Sequence, residues 1–188
     1  MPEATLEEGQ RIASEPAVSL SLPALLESLL FVADEPVTIS QLVQVLAVSA
    51  ETVESALAEL ASSYHAGGGR GIRLQRKHDR IQLISAPEAA PVLQRFLGVE
   101  LSTSLSTAAV ETLAVVAYRQ PLTRTDIEAV RGVNCDGVLR TLVSHGLVEL
   151  VGRLEQPGRP FLYGTTFQFL QYFGLESLAD LPPLPQES

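Results

Sequence analysis

The chain has few of the residues that build disulfides, metal sites and redox centres. Its 188 residues include one cysteine, Cys135, and three widely separated histidines, which excludes an internal disulfide and leaves no cluster with metal-ligand spacing. Cys135 lies three and four residues before Val138 and Leu139, so helical spacing predicts a packed thiol rather than a nucleophile. We therefore predict no catalytic, cofactor-binding or metal-binding residue and no enzyme. A hydrolase, the weakest alternative, would need a polar cluster that the sequence lacks.

Long hydrophobic runs and a surplus of positive charge are also absent. No apolar run approaches the roughly 18 residues that suggest a membrane-spanning helix, and the acidic N-terminal stretch lacks the features of a signal peptide. We therefore expect a cytoplasmic protein without membrane contact. The 13 Lys and Arg residues face 22 Asp and Glu residues, for a net charge of −9. Such a charge repels polyanions within a Debye length of about 10 Å at ~0.1 M salt, so nucleic acid is not the default partner.

Residues 133–166 show the pattern of the second half of a winged helix-turn-helix. Asn134 can cap a helix whose apolar residues recur at spacings of three and four, and a glycine follows the helix. The apolar positions are Val138, Leu139, Leu142 and Val143. Apolar runs at 147–151 and 161–163 then flank Pro157-Gly158, a good turn pair. These runs predict the two-stranded wing.

The same pattern occurs twice, with an offset of 85 residues and no gap. Pro36-Val37-Thr38 recurs as Pro121-Leu122-Thr123, and each threonine opens a capping box, with Gln41 and with Asp126. The other matched positions are Leu42 with Ile127, Val48-Ser49 with Val133-Asn134, Val53 with Val138, and Leu57 with Leu142. We infer two copies of one helix-helix-helix-hairpin unit. The predicted fold is mainly α with small β-hairpins (α+β), as two tandem winged helix-turn-helix domains.

Composition and spacing also divide the chain. The predicted segments are a disordered acidic arm at 1–20, an N-terminal winged-helix domain at 21–98, a linker at 99–106, a C-terminal winged-helix domain at 107–174 and an extended Pro-rich tail at 175–188. We expect Val110, Leu113, Ala114 and Ala117 to form the inward stripe of the first helix of the second copy. The alternation of Ile72, Leu74, Ile81 and Leu83 predicts a first hairpin with one buried face.

Neither predicted recognition helix suits a DNA groove. The outward face of the second shows Asp136, Gly137, Arg140, Thr141 and Ser144. The outward face of the first shows Glu51, Glu54, Ser55, Ala58, Glu59 and Ser62. One arginine beside one aspartate is a poor reader of bases, and three carboxylates are repelled by phosphates. The fold alone would suggest DNA binding, but these surfaces do not favour it.

The predicted first wing is a local exception to the acidic balance of the chain. The first wing gathers five cations, Arg70, Arg73, Arg76, Lys77 and Arg80, against one nearby Asp79. Two interpretations remain open. The cations form the solvated face of the ribbon, or they contact phosphates or an acidic partner, as a weak or indirect nucleic-acid contact.

Four segments between Glu111 and Leu184 carry a resemblance to a known family: ETLAVVAYRQPLTR, RGVNCDGVLRTLVSHGL, GRLEQPGRPFLYGTT and FLQYFGLESLADLPPL. Together they strongly resemble the ScpB family of segregation and condensation proteins, and LLESLLFVADEPVT matches more loosely. Cys135 stands where the family usually has a small polar residue, and Phe167-Gln168 replaces a short acidic stretch. The second departure affects the local surface and not the assignment.

The resemblance implies a non-enzymatic scaffold in chromosome condensation and segregation at cell division. Members of the family form homodimers through their first winged-helix domains. Their second domains embrace a segment of the kleisin ScpA, which joins them to the SMC ATPase. The resemblance therefore implies a cytoplasmic, nucleoid-associated protein that binds polypeptide. The alternative is a winged-helix transcriptional regulator that binds DNA, favoured only by the basic first wing.

Physical chemistry suggests where such partners bind. Aromatic and arginine side chains dominate many interfaces, which makes Tyr118, Arg119, Arg124, Arg140 and Tyr172 the candidate kleisin-binding residues. The start of the first domain contains Leu29-Leu30-Phe31-Val32, a run that is apolar all round a helix. Leu29, Leu30 and Phe31 are therefore the candidate dimer interface.

Overall fold

The computed structural model describes residues 20–66, 69–97 and 105–184. The predicted arm at 1–20 lies outside this range except for Leu20, and so do most of the predicted linker at 99–106 and the end of the predicted tail at 185–188. Within the described residues no helix is both long and apolar enough to cross a membrane.

Two units with the same order of elements follow each other along the chain. The first contains α1 (Leu22–Val32), β1 (Val37–Thr38), α2 (Ile39–Leu46), α3 (Ala50–His65), β2 (Ile72–Lys77), β3 (Arg80–Ser85) and, after a 3-10 turn at Pro87–Ala89, α4 (Ala90–Leu97). The second contains α5 (Thr107–Arg119), β4 (Leu122–Thr123), α6 (Arg124–Arg131), α7 (Asp136–Ser144), β5 (Val148–Arg153), β6 (Phe161–Thr165) and α8 (Phe167–Phe173).

Each unit has a three-stranded antiparallel sheet in which a two-residue strand pairs with the last strand of the hairpin. The strand orders are β1-β3-β2 and β4-β6-β5. Three helices and a sheet of this order make a winged helix-turn-helix. The predicted fold class is confirmed, with one addition. The short strands β1 and β4 follow Pro36 and Pro121 and complete the sheets, and the sequence analysis did not predict them.

The predicted helix starts are present. In α2 the Thr38 hydroxyl accepts a hydrogen bond from the Gln41 N–H at 3.2 Å, and Gln41 Oε1 accepts one from the Thr38 N–H at 2.8 Å. The matching box in α6 joins Thr123 and Asp126 at 3.2 and 2.9 Å. At α7 the prediction is off by one residue. Asn134 Oδ1 accepts from the Asp136 N–H at 3.1 Å, but the residue at the N-cap is Cys135.

Each unit has a hydrophobic core of its own. The first is built by Leu26, Leu30, Leu42, Val53, Ala56, Leu57, Leu60, Tyr64, Leu74 and Ile81. The second is built by Ala109, Leu113, Val116, Ala117, Ile127, Cys135, Leu139, Leu142, Leu147, Val148, Phe169 and Leu170. Cys135 is a packed thiol as expected, 1% exposed.

The predicted inward stripe of α5 is partly wrong. Leu113 and Ala117 are buried, but Val110 is 46% exposed and Ala114 is also exposed. Ala109, Thr112 and Val116 take the inward positions instead. Thr112 fits there because its hydroxyl donates to the Ala108 carbonyl at 2.8 Å, which satisfies the buried polar group within the helix.

Two further predictions need correction. The first hairpin has the predicted buried apolar face, with Leu74 and Ile81 in the core, but its other face is not solvated on β2, because Arg73, Gln75 and Lys77 are also buried. Residues 175–181 are not an extended tail. A 3-10 turn at Leu178–Asp180 begins with a capping box between Ser177 and Asp180. Leu175, Leu178 and Leu181 pack against the second core.

Candidate protein-binding surfaces

The outward faces of α3 and α7 carry the charges that the sequence indicated, and Glu54, Asp136 and Arg140 among them are paired. Glu54 on α3 accepts two hydrogen bonds from the Arg76 guanidinium at 2.5 and 2.7 Å, which lowers the pKa of Glu54. Asp136 at the start of α7 pairs with Arg140 and, at 3.0 Å, with Arg124. The arginine that would read a base is therefore already engaged with a carboxylate of its own helix.

The five cations of the first wing do not form a solvated face, so that interpretation is wrong for most of them. Arg73 is 7% exposed and lies 3.3 Å from Glu88 and 3.4 Å from Glu176. Lys77, also 7% exposed, pairs with Glu149 of the second unit. Arg76 pairs with Glu54, as described above. A phosphate contact through the remaining cations, Arg70 and Arg80, which are both exposed, stays a prediction.

An apolar groove of about 350 Å³ opens on the second unit between α5, α8 and the residues after α8. We call it the α5–α8 groove. Its lining consists of Val110, Leu113, Ala114, Ala117, Tyr118, Phe169, Phe173, Leu175, Asp180, Leu181 and Pro182. The rings of Phe169 and Phe173 are 5.0 Å apart and tilted by 52°. The lining therefore offers contact area for a partner's apolar side chains rather than groups for chemistry.

Tyr118 is placed at the rim of this groove by a contact outside its own helix. Its hydroxyl donates a hydrogen bond to the Pro182 carbonyl at 2.6 Å, across the mouth between α5 and the chain that follows α8. Tyr118 is 37% exposed, with its hydroxyl engaged in this hydrogen bond. This arrangement is typical of tyrosines at protein interfaces.

The five candidate kleisin-binding residues do not form one cluster. Tyr118 lines the α5–α8 groove, and Tyr172 is half exposed, with its ring edge-on to Phe173 at 5.1 Å. Arg119 is exposed at the end of α5. Arg124 and Arg140 instead meet at Asp136, at the start of α7. The structure thus brings the tyrosines to the groove and the last two arginines to the recognition helix.

The candidate dimer interface needs one correction. Leu30 is 4% exposed and belongs to the core of its own unit, so it has little surface to offer a second copy. Phe31, by contrast, is 84% exposed at the end of α1, and Val32 beside it is also exposed. Leu29 lines a shallow depression between α1 and α2 together with Val45 of α2. Phe31 and Leu29 remain candidates, and Val32 and Val45 join them.

Most of the residues that line the α5–α8 groove were not predicted to form a surface for a partner. The sequence pattern predicted Val110 and Ala114 in the core, and Leu181-Pro182 in an extended tail. The missed signal lies in α5, where Ala109, Leu113 and Val116 have the same helical spacing as the stripe that was chosen. Two overlapping apolar stripes on one helix indicate a second covered face. No group of three or more His, Cys, Asp or Glu side chains in the described part of the chain could hold a metal ion.

Comparison with known proteins identifies the family. A family model described as "Segregation and condensation complex subunit ScpB" matches residues 24–184. The chain belongs to the ScpB family. ScpB of Moorella thermoacetica is 50% identical over 164 residues, which cover 87% of this chain and 83% of that protein. ScpB of Halalkalibacterium halodurans is 46% identical over 167 residues, which cover 88% of this chain and 84% of that protein.

Two solved ScpB structures are also similar. The crystal structure of ScpB from Mycobacterium tuberculosis is 37% identical, with a TM-score of 0.39, and covers 81% of this chain and 94% of that chain. A dimer of an ScpB N-terminal domain, complexed with a ScpA peptide, is 32% identical, with a TM-score of 0.37, and covers 39% of this chain and 91% of that chain. Because both TM-scores are below 0.5, membership in the ScpB family rests on the sequence matches.

Proposed function

We propose that this ScpB protein is a non-enzymatic, homodimeric scaffold of an SMC-kleisin complex. In this role its first winged-helix units form the dimer, and its second units bind a segment of the kleisin ScpA, which joins the scaffold to the SMC ATPase. The protein acts in the cytoplasm, at the nucleoid, in chromosome condensation and segregation. The observation that carries the proposal is the match of residues 24–184 to the family of segregation and condensation complex subunits.

The α5–α8 groove supports a peptide-binding role for the second unit. Its walls are mostly apolar, and its exposed members, Val110, Ala114 and Phe173, offer surface that a partner's apolar side chains can cover. A partner helix or extended segment with apolar anchors fits such a groove. Tyr118 and Tyr172 add half-exposed rings at and next to its rim.

Exposed apolar side chains support dimerisation through the first unit. Phe31 is the most exposed large apolar residue at the end of α1, and Val32 and Val45 are exposed as well. Leu29 and Val32 are three residues apart on α1 and so lie on the same side of the helix as the depression that Val45 lines. A two-fold interface can place the Phe31 ring of one protomer against this apolar surface of the other.

The alternative function, a DNA-binding regulator, is not favoured. Three of the five cations on the first wing are engaged with carboxylates of the same chain, and α3 presents Glu51 and Glu59 to solvent. A regulator would bind duplex DNA with an affinity that falls steeply with salt. A scaffold binds naked DNA weakly and a kleisin tightly.

Calorimetric titration of the full chain with the host's ScpA tests the proposal. We expect Val110→Glu to weaken binding at least tenfold, about 1.4 kcal/mol, because it places a carboxylate in the groove where a partner would bury it. Val130→Glu is the matched control, since Val130 is a similarly exposed valine on α6 that does not line the groove. Unchanged affinity for Val110→Glu, or equal losses for both variants, would count against the groove as the kleisin site.

A further inference from the structure

The residues after α8 contact both winged-helix units. We call residues 174–182 the C-terminal strap. We propose that the strap holds the two units in one closed arrangement, and that loss of its contacts with the first unit, centred on Glu176, releases them. The inference stands on contacts within the chain and does not require a partner.

The strap lies along β2, the outer strand of the first sheet. The Arg76 N–H donates a hydrogen bond to the Glu176 carbonyl at 2.8 Å. The Gln75 amide donates to the Leu175 carbonyl at 2.8 Å, and its own oxygen accepts from the Gln82 amide at 2.8 Å. An outer strand presents backbone N–H and C=O groups that can bind an added segment of chain. Here the chain covers part of that edge itself.

The Glu176 side chain adds charge to these backbone contacts. Its Oε1 atom lies 2.9 Å from His65 Nε2, at the end of α3, and 3.4 Å from Arg73 Nε, on β2. Arg73 is buried and shared with Glu88, which makes it a fixed partner. The pKa of His65 is raised, first by its hydrogen bond with the Ala61 carbonyl and then by Glu176. Arg73 of the first unit thus faces the Glu176 carboxylate of the strap, together with His65, which adds a second positive charge when it is protonated.

The other side of the strap is apolar and belongs to the second unit. Leu175, Leu178 and Leu181 pack against the second core, and the Leu175 N–H donates to the Leu170 carbonyl at 2.8 Å. The contacts of Leu175 and Glu176 with the first unit are hydrogen bonds and ion pairs. Polar interfaces between domains of one chain permit relative motion more readily than apolar ones. The strap therefore stays with the second unit when the closed arrangement opens.

A second tie lies next to the strap. Lys77 of β2 pairs with Glu149 of β5, so the wings of the two units also contact each other directly. This pair does not depend on Glu176. It limits how far loss of Glu176 alone separates the units, and a variant that removes both ties should open them further.

The strap also links the closed arrangement to the α5–α8 groove. Leu175, Leu181 and Pro182 line that groove, so a segment bound there touches the same short stretch whose Glu176 contacts the first wing. Ligands shift a conformational equilibrium when they bind its two states with different affinity. If ScpA is the groove's occupant, as the proposed function holds, its binding changes the separation of the two units.

Distance measurement between the units tests the strap. Spin labels are placed at Ser55 of α3 and Ser144 of α7, both exposed, in a Cys135→Ala background, and the distance distribution is measured by pulsed electron spin resonance. Labelled chain is diluted with an excess of unlabelled Cys135→Ala chain, so that only distances within one protomer contribute, and we expect one narrow distribution for the parent. Glu176→Lys replaces the carboxylate with a positive group beside Arg73 and His65, and we expect a broader distribution with a longer mean. Adding Glu149→Ala should extend the shift.

Two controls make the outcome decisive. Glu155→Lys removes an ion-paired glutamate of the second wing, whose partner is Arg159, and should leave the parent distribution unchanged. Gln75→Leu removes the hydrogen bond to Leu175 without adding charge and should broaden the distribution as Glu176→Lys does. Circular dichroism verifies that each variant is folded. A parent-like distribution in folded Glu176→Lys and Gln75→Leu overturns the inference.

The same samples separate this inference from the proposed function. Titration with ScpA measures binding, and the spin labels measure separation of the units. Failure of ScpA to bind would contradict the proposed function and leave the strap result standing. Tight binding of ScpA together with a parent-like distribution in both strap variants would contradict the strap and leave the proposed function standing.

Discussion

The two wings of the molecule have the same topology, but β2 of the first is covered by other parts of the chain and β5 of the second is mostly exposed. In the first, no residue of β2 is exposed, and Arg73, Leu74, Gln75 and Lys77 are buried. In the second, every residue of β5 after Val148 is exposed, including two large apolar side chains. Three of the five cations of the first wing are paired with carboxylates of the chain. The second wing carries apolar side chains and an arginine, Arg153, whose guanidinium lies 3.8 Å from the centre of the Phe161 ring.

This difference shows how a repeated fold acquires two different surfaces. The 85-residue repeat preserves caps and core positions, because both units need them to fold. The surfaces are under no such constraint and have diverged. The first unit uses its wing for contacts inside the molecule, and the second leaves α5, α8 and its wing open. Surface charge and exposure, rather than the shared topology, therefore indicate what each unit binds.

The largest effect should come from Phe31, which tests the proposal that the first unit forms the dimer and the second unit binds the partner. Phe31→Glu should convert the dimer to monomer at micromolar concentration. Burial of a Phe contributes roughly 1.5–3 kcal/mol, and a two-fold interface contains the residue twice. Light scattering of the purified protein measures the mass. Val110→Glu on the second unit should leave the dimer intact. A dimer that persists in Phe31→Glu, or dissociates in Val110→Glu, would reverse the roles assigned to the two units.

The next largest effect tests whether each unit has its own core. Leu42 and Ile127 occupy matched positions of the repeat and are 1% and 0% exposed. Leu42→Ala and Ile127→Ala should each lower the free energy of unfolding by about 2–5 kcal/mol, because each leaves a cavity. Scanning calorimetry should show that Leu42→Ala lowers the unfolding temperature of the first unit and that Ile127→Ala lowers that of the second. If both variants shift the whole transition equally, the two units unfold as one.

A smaller effect is expected at the two capping boxes. Thr38→Ala and Thr123→Ala each remove the hydroxyl that accepts the N–H of the third helical residue. Each change should lower the free energy of unfolding by about 1 kcal/mol, within a range of about 0.5–2. Urea titration followed by circular dichroism measures both. Ser40→Ala is the control, because Ser40 is exposed on α2 and lies outside the box. A null effect at either threonine would contradict the role of that cap.

The smallest effect is a dependence of stability on pH, which we expect from the capping box of α6 and not from that of α2. Hydrogen bonds from the Thr123 hydroxyl and N–H lower the pKa of Asp126 below its ordinary value of 3.8. The stability it contributes is therefore present above about pH 4 and lost as the pH falls through the lower folded-state pKa. The matching Gln41 does not titrate. We expect Asp126→Asn to be less stable than the parent at about pH 5 and the difference to shrink towards about pH 2.5. A difference that is constant over this range would contradict the account.

Much of the fold is predictable from the sequence because its signals are local. Thr38 with Gln41 and Thr123 with Asp126 are three residues apart, and the inward side chains of α3 show one helical period. The repeat shows these signals twice, so the assignment of each unit supports that of the other. The burial of Leu139 and Leu142 in the second core follows from the same reasoning.

The features that were missed depend on contacts between distant parts of the chain. The Gln75 side chain donates a hydrogen bond to the Leu175 carbonyl, 100 residues further along the chain. No local sequence pattern predicts that this segment covers β2. The polar residues of β2 therefore indicated a solvated face that is in fact buried. Val110 and Ala114 were misplaced for a related reason. Both stripes of α5 are apolar, and only packing against α6, α7 and β6 decides which one faces the core.

Co-expression with the host's kleisin, followed by size-exclusion chromatography with mass measurement, tests whether this winged-helix chain binds polypeptide rather than DNA. We expect a single peak that contains both proteins, with a mass that corresponds to a dimer of this chain plus kleisin. Elution of this chain free of kleisin, with capture of duplex DNA in its place, would contradict this expectation.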